Sequence, residues 1–286
     1  MSIKLIIDST ADIRETIKKK IDYIVPLTVN FGNEEFIDGV NISNNDFYKK
    51  LQTSEHFPTT SQAGPDKFLK IFNQIDKNDS AIVITIASVL SGTYQSAVLA
   101  AQDYDNIHVI NSESVALGSG ILIEYAIELI DQGLTLEEII DELEEKKKKI
   151  ELLGIFDTLE YLQKGGRLSK AAAFAGEILK IKPIISIITG EITVPAKARG
   201  NKKAISIFNK ELSENCDINY DLPFSFGYTG LSDENLVNYF ESSKDLWTES
   251  YDHISIGSVV GTHAGPGAIA IAYFKNWYHL NLLALH

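Results

Sequence analysis

The sequence has few groups that could cross-link it, bind a metal through sulfur or cross a membrane. Its 286 residues include a single cysteine, Cys216, which excludes an intramolecular disulfide and a metal site built from thiolates alone. No apolar stretch approaches the roughly 18 residues that a membrane-spanning helix needs. Only residues 5–7 are consecutively apolar near the N-terminus, so the core of a signal peptide is missing. We therefore expect a cytoplasmic protein with a buried, inert thiol.

Positive charge is scarce. The chain has 26 Lys and Arg against 39 Asp and Glu, a net charge of −13, which argues against a broad electropositive face for phosphates and against nucleic-acid binding. Its six histidines are scattered, and the patterns HExxH, CxxC and the calcium-binding loop are all absent from the sequence. We expect no metal site.

Two common enzyme signatures are also missing. The sequence lacks Walker-A spacing, so no ATP site of its own is evident, and it lacks the G-x-S-x-G pattern of many serine hydrolases. Residues 265–270 do fit G-x-G-x-x-A. They lie too near the end of the chain for a βαβ unit to follow, and we reject a dinucleotide-binding fold.

What the sequence does contain is an alternation of β-branched runs with helical patterns, which in the first half predicts an α/β fold with a parallel sheet. A domain boundary near Ile150 divides the chain into 1–150 and 151–286. The predicted strands are 3–7, 24–31, 81–87, 107–110, 152–156, 184–188, 192–196, 224–228 and 254–260. The predicted helices are 43–51, 114–131 and 171–179, with others beginning at Pro65, near Tyr94, at Thr135 and near Ser232.

Small hydroxyl side chains stand where strands give way to helices. Ser91, Gly92 and Thr93 follow the 81–87 strand and precede a helix, an arrangement that can bind an anion at a helix N-terminus. Thr60 lies in a predicted loop before the helix that begins at Pro65, and it could bring a second hydroxyl to the same crevice. Simple N-capping is the alternative, and spacing alone favours capping.

Other candidates also have two interpretations. Asp8 and Asp12 flank two hydroxyls and suggest acid–base chemistry, unless Asp12 caps the next helix. His263 precedes a Gly-Pro-Gly turn that would let the backbone approach a ligand, unless it is a core histidine. Arg167 and Arg199 each adjoin glycine in a presumed loop and could meet a phosphate or carboxylate, or else form surface ion pairs.

Six short motifs follow one another along nearly the whole chain. They are Asp8-Ser-Thr-Ala-Asp12, Thr60-Ser-Gln62, Leu90-Ser-Gly-Thr-Tyr-Gln-Ser96, Asp157-Thr158 with Lys164-Gly-Gly-Arg167, Lys182-Pro183 and His263-Ala-Gly-Pro-Gly-Ala268. In this order they resemble the motifs of the DegV family of fatty-acid-binding proteins. One departure is Ala63-Gly64 after Gln62, where the family more often has proline first.

The resemblance implies two α/β domains, the first with a mainly parallel sheet and the second with a mixed sheet. A long-chain fatty acid would lie in a buried tunnel at their junction, its only ligand, with no cofactor. Thr60, Ser91, the backbone at Gly92 and His263 would bind the fatty-acid carboxylate. From its small side-chain volume, we expect the predicted helix over 171–176 to line the tunnel.

The resemblance also implies a partner. Members of this family act as acyl-carrying subunits of an ATP-dependent fatty acid kinase, whose acyl phosphate product serves phospholipid synthesis. Arg167 and Arg199 would lie at the rim, facing the kinase and stabilising phosphate charge. The chain itself would not be an enzyme, and it would contact a membrane peripherally at most.

Two other functions compete with this expectation. One is a stand-alone hydrolase or phosphotransferase that uses Ser91 or Ser9 as the nucleophile and His263 as the base. The other is a transcriptional or scaffolding protein that senses lipid, which the acidic charge disfavours.

Overall fold

The structure, a computed structural model, describes residues 2–168, 181–248 and 251–276. The predicted helix over 171–179 lies outside these residues. The strands are β1 Ile3–Asp8, β2 Tyr23–Val25, β3 Thr28–Phe31, β4 Glu34–Ile37, β5 Thr59–Ser61, β6 Ser80–Thr85, β7 Ile107–Asn111, β8 Ile150–Ile155, β9 Ile181–Ile188, β10 Glu191–Arg199, β11 Ser225–Tyr228, β12 His253–Ser255 and β13 Ile269–Phe274.

The helices alternate with these strands in the first half and cover the sheets in the second. A 3₁₀ turn, Lys147–Lys149, joins α6 to β8. The helices are α1 Glu15–Lys18, α2 Asn44–Thr53, α3 Pro65–Phe72, α4 Thr93–Ala101, α5 Leu117–Asp131, α6 Leu136–Lys146, α7 Glu160–Lys164, α8 Asn201–Glu214, α9 Glu234–Ser242 and α10 Ser258–Ala264.

The strands form three sheets in two α/β domains. The first domain has a parallel sheet of order β2-β1-β6-β7 and a small antiparallel sheet of order β4-β3-β5. The second domain has a mixed sheet of order β10-β9-β8-β13-β11-β12, in which only the β11–β12 pair is parallel. The expected fold class, including one parallel and one mixed sheet, is confirmed.

Each half of the chain contributes a helix to the other half. Helix α5 precedes Ile150 in the chain yet packs on β8, β11 and β13 of the mixed sheet, and helix α10 contacts α2, β3 and β5. Apolar residues from both halves accordingly share one continuous core, with Leu5 and Ile84 from the first and Ile185 and Phe274 from the second. All strands before Ile150 belong to the sheets of the first domain, and all strands from Ile150 onward belong to the mixed sheet. Because α5 and α10 each pack on the other half, the domain boundary at residue 150 stays a prediction.

Most elements with a strong local signal form where expected. Strands β1 and β6, the Pro65 start of α3 and the capping box of Thr135 and Glu138 at α6 are all confirmed. Cys216 is buried as expected, and burial raises the pKa of its thiol to about 12, which disfavours the reactive thiolate.

Three predicted elements are wrong. The strand over 24–31 is broken at Pro26, which has no N–H to donate, and its two parts join different sheets. Thr60 belongs to strand β5, paired opposite Val29, and not to a loop. The predicted strand over 254–260 ends at Ser255, and helix α10 begins at Ser258 because its buried side packs on α2.

Within the part of the chain that the structure describes, no helix combines the length and the apolar character that crossing a bilayer would require.

Candidate functional site

A cavity of about 380 Å³ lies between the two halves of the chain. Strands β1 and β6 are parallel neighbours at the point where the strand order of the first sheet reverses, and ligands of such sheets bind beyond the carboxyl ends of the strands at that point. The polar or glycine residues of its lining are Thr60, Ser61, Gln62, Ser91, Gly92, Arg167 and His263. Its apolar lining residues are Leu27, Ile86, Leu90, Val115, Phe156, Leu162, Ile187, Ile192, Val259, Val260 and Ala264.

Two further cavities share parts of this lining. A cavity of about 50 Å³ shares only apolar residues with it, namely Val115, Phe156, Ile187, Val260 and Ala264. A cavity of about 500 Å³ shares Ser91 and Arg167. The lining therefore passes from a polar end, next to the larger neighbour, to an apolar end next to the smaller one.

Thr60 and His263 meet across 203 residues of sequence. The hydroxyl of Thr60 lies 2.9 Å from Nε2 of His263, and both side chains line the cavity. Strand β5 holds Thr60 in place through its pairing with β3, and α10 carries His263 in its last turn. The structure thus brings together two residues that only the family resemblance had grouped, because no local sequence pattern connects them.

Ser91 belongs to a short network of hydroxyls at the start of α4. Its Oγ lies 2.9 Å from Oγ1 of Thr93 and accepts a hydrogen bond from the Thr93 N–H at 3.3 Å. The N–H of Ala63 in turn donates to Oγ1 of Thr93 at 3.3 Å. With these donors in place, the Thr93 hydroxyl can donate to Ser91, which leaves the Ser91 hydroxyl hydrogen for a ligand.

Gly92 and Gln62 fit together beside Ser91. A Cβ at position 92 would overlap Oε1 of Gln62, whose Nε2 donates to Ser96 at 3.0 Å. Only glycine lets the Gln62 side chain lie against this backbone. Gln62 was part of a recognised motif but had no predicted role, because its contact with Gly92 depends on the meeting of β5 and α4.

The ring of His263 is neutral in the folded protein. Burial, aided by the nearby positive charge of Arg167, lowers the pKa of His263 to about 4. Among the described residues, its Nδ1 is buried and has no hydrogen-bond partner. A Cβ at Gly165 would overlap this nitrogen, so the lack of a side chain at position 165 leaves room for the His263 ring.

Arg167 lies closer to the cavity than expected, and Arg199 farther away. The Nε–H of Arg167 donates to the Leu90 carbonyl at 3.2 Å and an Nη1–H donates to the Gly165 carbonyl at 2.6 Å, so the guanidinium is held half-buried in the lining. Arg199 is the exposed last residue of β10 and does not line this cavity. The structure brings together Thr60, Ser91, Gly92, His263 and Arg167.

The arrangement gives little support to a hydrolytic Ser–His pair. The described partner of His263 Nε2 is Thr60, not Ser91. Ser9 lines a different cavity, and its Oγ accepts a hydrogen bond from the Leu27 N–H at 3.0 Å. In the described ranges, no group of three or more His, Cys, Asp or Glu side chains is arranged to hold a metal ion.

The low pKa of His263 predicts a loss of stability in acid. The unfolded ring titrates near 6.5 and the folded ring near 4, so its contribution is fully present above pH 6.5 and is lost as the pH falls towards 4. For ligand-free protein, we expect the free energy of unfolding of wild type to fall by up to about 3 kcal/mol relative to His263→Gln across this range.

Denaturant unfolding at a series of pH values measures this difference. The buried carboxyls Asp8, Asp12 and Asp38 have raised pKa values, because of burial, and act in the opposite direction. They are present in both proteins and cancel in the comparison. Parallel curves for wild type and His263→Gln would contradict the prediction.

Comparison with known proteins gives a consistent result. The protein-family profile described as "Uncharacterised protein, DegV family" matches residues 2–276. A DegV domain-containing protein of Caldanaerobacter subterraneus is 36% identical over 277 residues, which cover 95% of this chain and 98% of that protein. Protein DegV of Bacillus subtilis is 35% identical over 281 residues, which cover 96% and 99%.

Solved structures with the same fold are described by their ligand. The crystal structure of Bacillus subtilis DegV, described as a fatty acid binding protein, has a TM-score of 0.81 at 34% identity and covers 96% of this chain and 100% of its own. A Thermus thermophilus DegV family protein, described by its fatty acid binding, has a TM-score of 0.85 at 29% identity, covering 96% and 100%. A stearic acid-binding protein of Eubacterium ventriosum has a TM-score of 0.83 at 27% identity, covering 96% and 98%.

Proposed function

Because the chain belongs to the DegV family, we propose that it binds one long-chain fatty acid in a tunnel between its two domains. The observation that carries this proposal is the hydrogen-bonded pair of Thr60 and His263 at the polar end of a cavity whose other end is apolar. Related proteins described as fatty acid binding share the fold over nearly their whole length.

The hydroxyls of Thr60 and Ser91 would hold the carboxylate. With Nε2–H of the neutral His263 donating to Thr60 Oγ1, the Thr60 hydroxyl hydrogen is directed to the ligand. The Ser91 hydroxyl is supplied in the same way by Thr93. These two hydroxyl donors and the backbone at Gly92 would satisfy a carboxylate that has left water.

The acyl chain would supply most of the affinity. Burying about fifteen methylenes at about 0.8 kcal/mol each offers roughly 12 kcal/mol before the costs of ordering the ligand and desolvating its carboxylate. The apolar continuation past Val115, Phe156 and Val260 would receive the end of the chain remote from the carboxylate. The polar residues would thus contribute less to the binding free energy than the acyl chain, and their main role would be to fix the position of the carboxylate.

We further propose that the bound acid is presented to a separate ATP-dependent fatty acid kinase in the cytoplasm. The carboxylate oxygen would attack the γ-phosphorus of ATP on the kinase, forming an acyl phosphate for phospholipid synthesis and releasing ADP. The cavity of about 500 Å³ that shares Ser91 and Arg167 gives such a partner a route to the carboxylate. Arg167 and Arg199 would stabilise the phosphate charge, and the chain itself would be a carrier.

Native mass spectrometry of protein purified without delipidation tests the ligand. We expect a mass excess that corresponds to one fatty acid, identified after extraction. Bare protein from repeated preparations would contradict fatty-acid binding.

Arginine variants test the presentation step. We expect Arg167→Ala and Arg199→Ala to retain lipid and to reduce acyl-phosphate formation at least tenfold, the scale on which one charge-assisted hydrogen bond matters. Arg14→Ala, which removes a cation paired with Glu124, is the matched control. Loss of lipid in Arg167→Ala would instead assign this side chain to the carboxylate, and full activity of both variants would remove them from the interface.

A further inference from the structure

The carboxylate of Asp12 caps a helix that lies 245 residues further along the chain. Its Oδ1 accepts a hydrogen bond from the Gly257 N–H at 2.8 Å, where helix α10 begins. The alternative interpretation, that Asp12 caps the next helix, is wrong, because α1 begins after Arg14 and has no side-chain cap. Asp12 is only 8% exposed, and its contact satisfies one of the N–H groups that every helix start leaves unpaired.

Other residues from the first half hold the same helix start. The Ser258 hydroxyl donates to Oδ1 of Asp38 at 2.5 Å, and the Tyr48 hydroxyl donates to the Ile256 carbonyl at 3.0 Å. Helix α10 lacks a side-chain cap of its own, since its N-cap is Gly257. The position of this helix is therefore determined by groups outside it.

The other end of α10 carries His263. His263 follows Ser258 by five positions, so a rise of 1.5 Å per residue places them about 8 Å apart along the axis. So short a helix transmits a shift at its first turn to its last. A displacement of the Gly257 N–H from Asp12 would therefore move the His263 ring away from Thr60.

Asp8 makes the equivalent contact with the other carboxylate-binding element. Its Oδ2 accepts a hydrogen bond from the Ile86 N–H at 2.7 Å, directly after strand β6, and its Oδ1 accepts one from the Thr10 N–H at 2.9 Å. Ile86 begins the turn that leads to Ser91, whose N–H donates to the Ala87 carbonyl at 3.2 Å. One segment of five residues thus touches both elements that bear ligands for the acid.

Keeping two carboxyls here is costly for the fold. Both are buried, burial raises the pKa of each, and Oδ2 of Asp12 has no hydrogen-bond partner among the described residues. Buried charged groups are often no better for stability than apolar residues of similar volume. A benefit other than stability would explain their presence.

We infer that Asp8 and Asp12 are positioning residues of the fatty-acid carboxylate site, Asp12 acting through α10 on His263 and Asp8 acting through the Ile86 turn on Ser91. This inference rests on the proposed function. A merely structural role would lower stability without changing how the protein distinguishes a carboxylate from another head group.

The test compares the Kd values for hexadecanoic acid and 1-hexadecanol, which share a chain and differ in the head group. We expect wild type to prefer the acid, and Asp12→Ala to lose about tenfold in acid affinity with the alcohol affinity unchanged. Asp12→Asn, which keeps an oxygen for the Gly257 N–H, should restore most of the preference. The NMR signals of the His263 ring should shift in Asp12→Ala and return in Asp12→Asn.

Asp8→Ala should reduce the acid preference in the same way, with shifts in the backbone amide signals from Ile86 to Gly92. Tyr239→Phe is the control for stability alone, since it removes a buried hydroxyl that accepts from Nε1 of Trp247 at 2.7 Å in a separate core. It should lower Tm and leave the ratio of the two Kd values unchanged.

The possible failures are distinguishable. Wild-type protein that binds neither ligand would overturn the proposed function and this inference together. Wild type and Asp12→Ala with the same preference for the acid would overturn the inference alone. If Asp12→Ala does not fold, Ser258→Ala replaces it, because losing the bond to Asp38 releases the same helix start. An unchanged preference in that variant counts against the inference equally.

Discussion

Replacing Val260 with phenylalanine should reduce the affinity for hexadecanoic acid about a thousandfold while the protein stays folded. Val260 lies on α10 and lines both the main cavity and its apolar continuation. A phenyl ring there would occupy the space through which the chain has to pass. Excluding about five methylenes at about 0.8 kcal/mol each removes about 4 kcal/mol, which corresponds to that factor.

The length of the fatty acid tests whether the acyl chain passes Val260. Octanoic acid, which need not reach past Val260, should lose much less affinity than hexadecanoic acid in the same titration. Val237→Phe is the matched control, because this valine is 44% exposed on α9 and lines neither cavity. Unchanged binding of hexadecanoic acid by Val260→Phe, with Tm unchanged, would show that the acyl chain lies elsewhere.

The double variant Thr60→Val with Ser91→Ala should lose about a hundredfold or more in affinity for hexadecanoic acid. Each hydroxyl would donate to a carboxylate that has left water, and hydrogen bonds to charged groups contribute about 1.5–3 kcal/mol each. Valine preserves the shape of threonine, so strand β5 should keep its pairing with β3. Because 1-hexadecanol carries no charge, its affinity should change far less.

Isothermal titration with both ligands separates the head group from the chain. Thr59→Val is the matched control, since Thr59 is the exposed neighbour of Thr60 in the same strand and does not line the cavity. Equal losses for acid and alcohol would mean that the double variant damages the cavity as a whole, and would remove Thr60 and Ser91 from the carboxylate site.

Local patterns predicted the elements whose side chains interact mainly with near neighbours. The hairpin of β9 and β10 forms about Thr189 and Gly190, which both have positive φ, as the favoured two-residue turns require. Val259 and Val260 were misread as strand because β-branched residues favour strands. They are helical because that stretch packs on α2 and β3, and packing overrides such a weak preference.

The site depends on contacts too distant in sequence for any local pattern to reveal. Thr60, Ser91 and His263 were grouped only through their resemblance to a family, and the 2.9 Å contact of Thr60 with His263 closes a gap of 203 residues. The family resemblance predicted Arg167 at the rim, and in the structure its hydrogen bonds to the carbonyls of Leu90 and Gly165 hold it in the cavity lining. The partner of Asp12 could not be foreseen, since Gly257 lies in the other half.

The exchange of helices between the halves also has a consequence for biosynthesis. When the chain has emerged from the ribosome as far as Ile150, the residues of α5 are outside, but the strands β8, β11 and β13 that pack on this helix in the native fold have yet to emerge. A nascent chain at that stage exposes the apolar side chains of α5, so we expect it to need either a chaperone or rapid synthesis of the remaining strands. The complete pocket can form only once residues 263 and 264, which line it, have emerged from the ribosome.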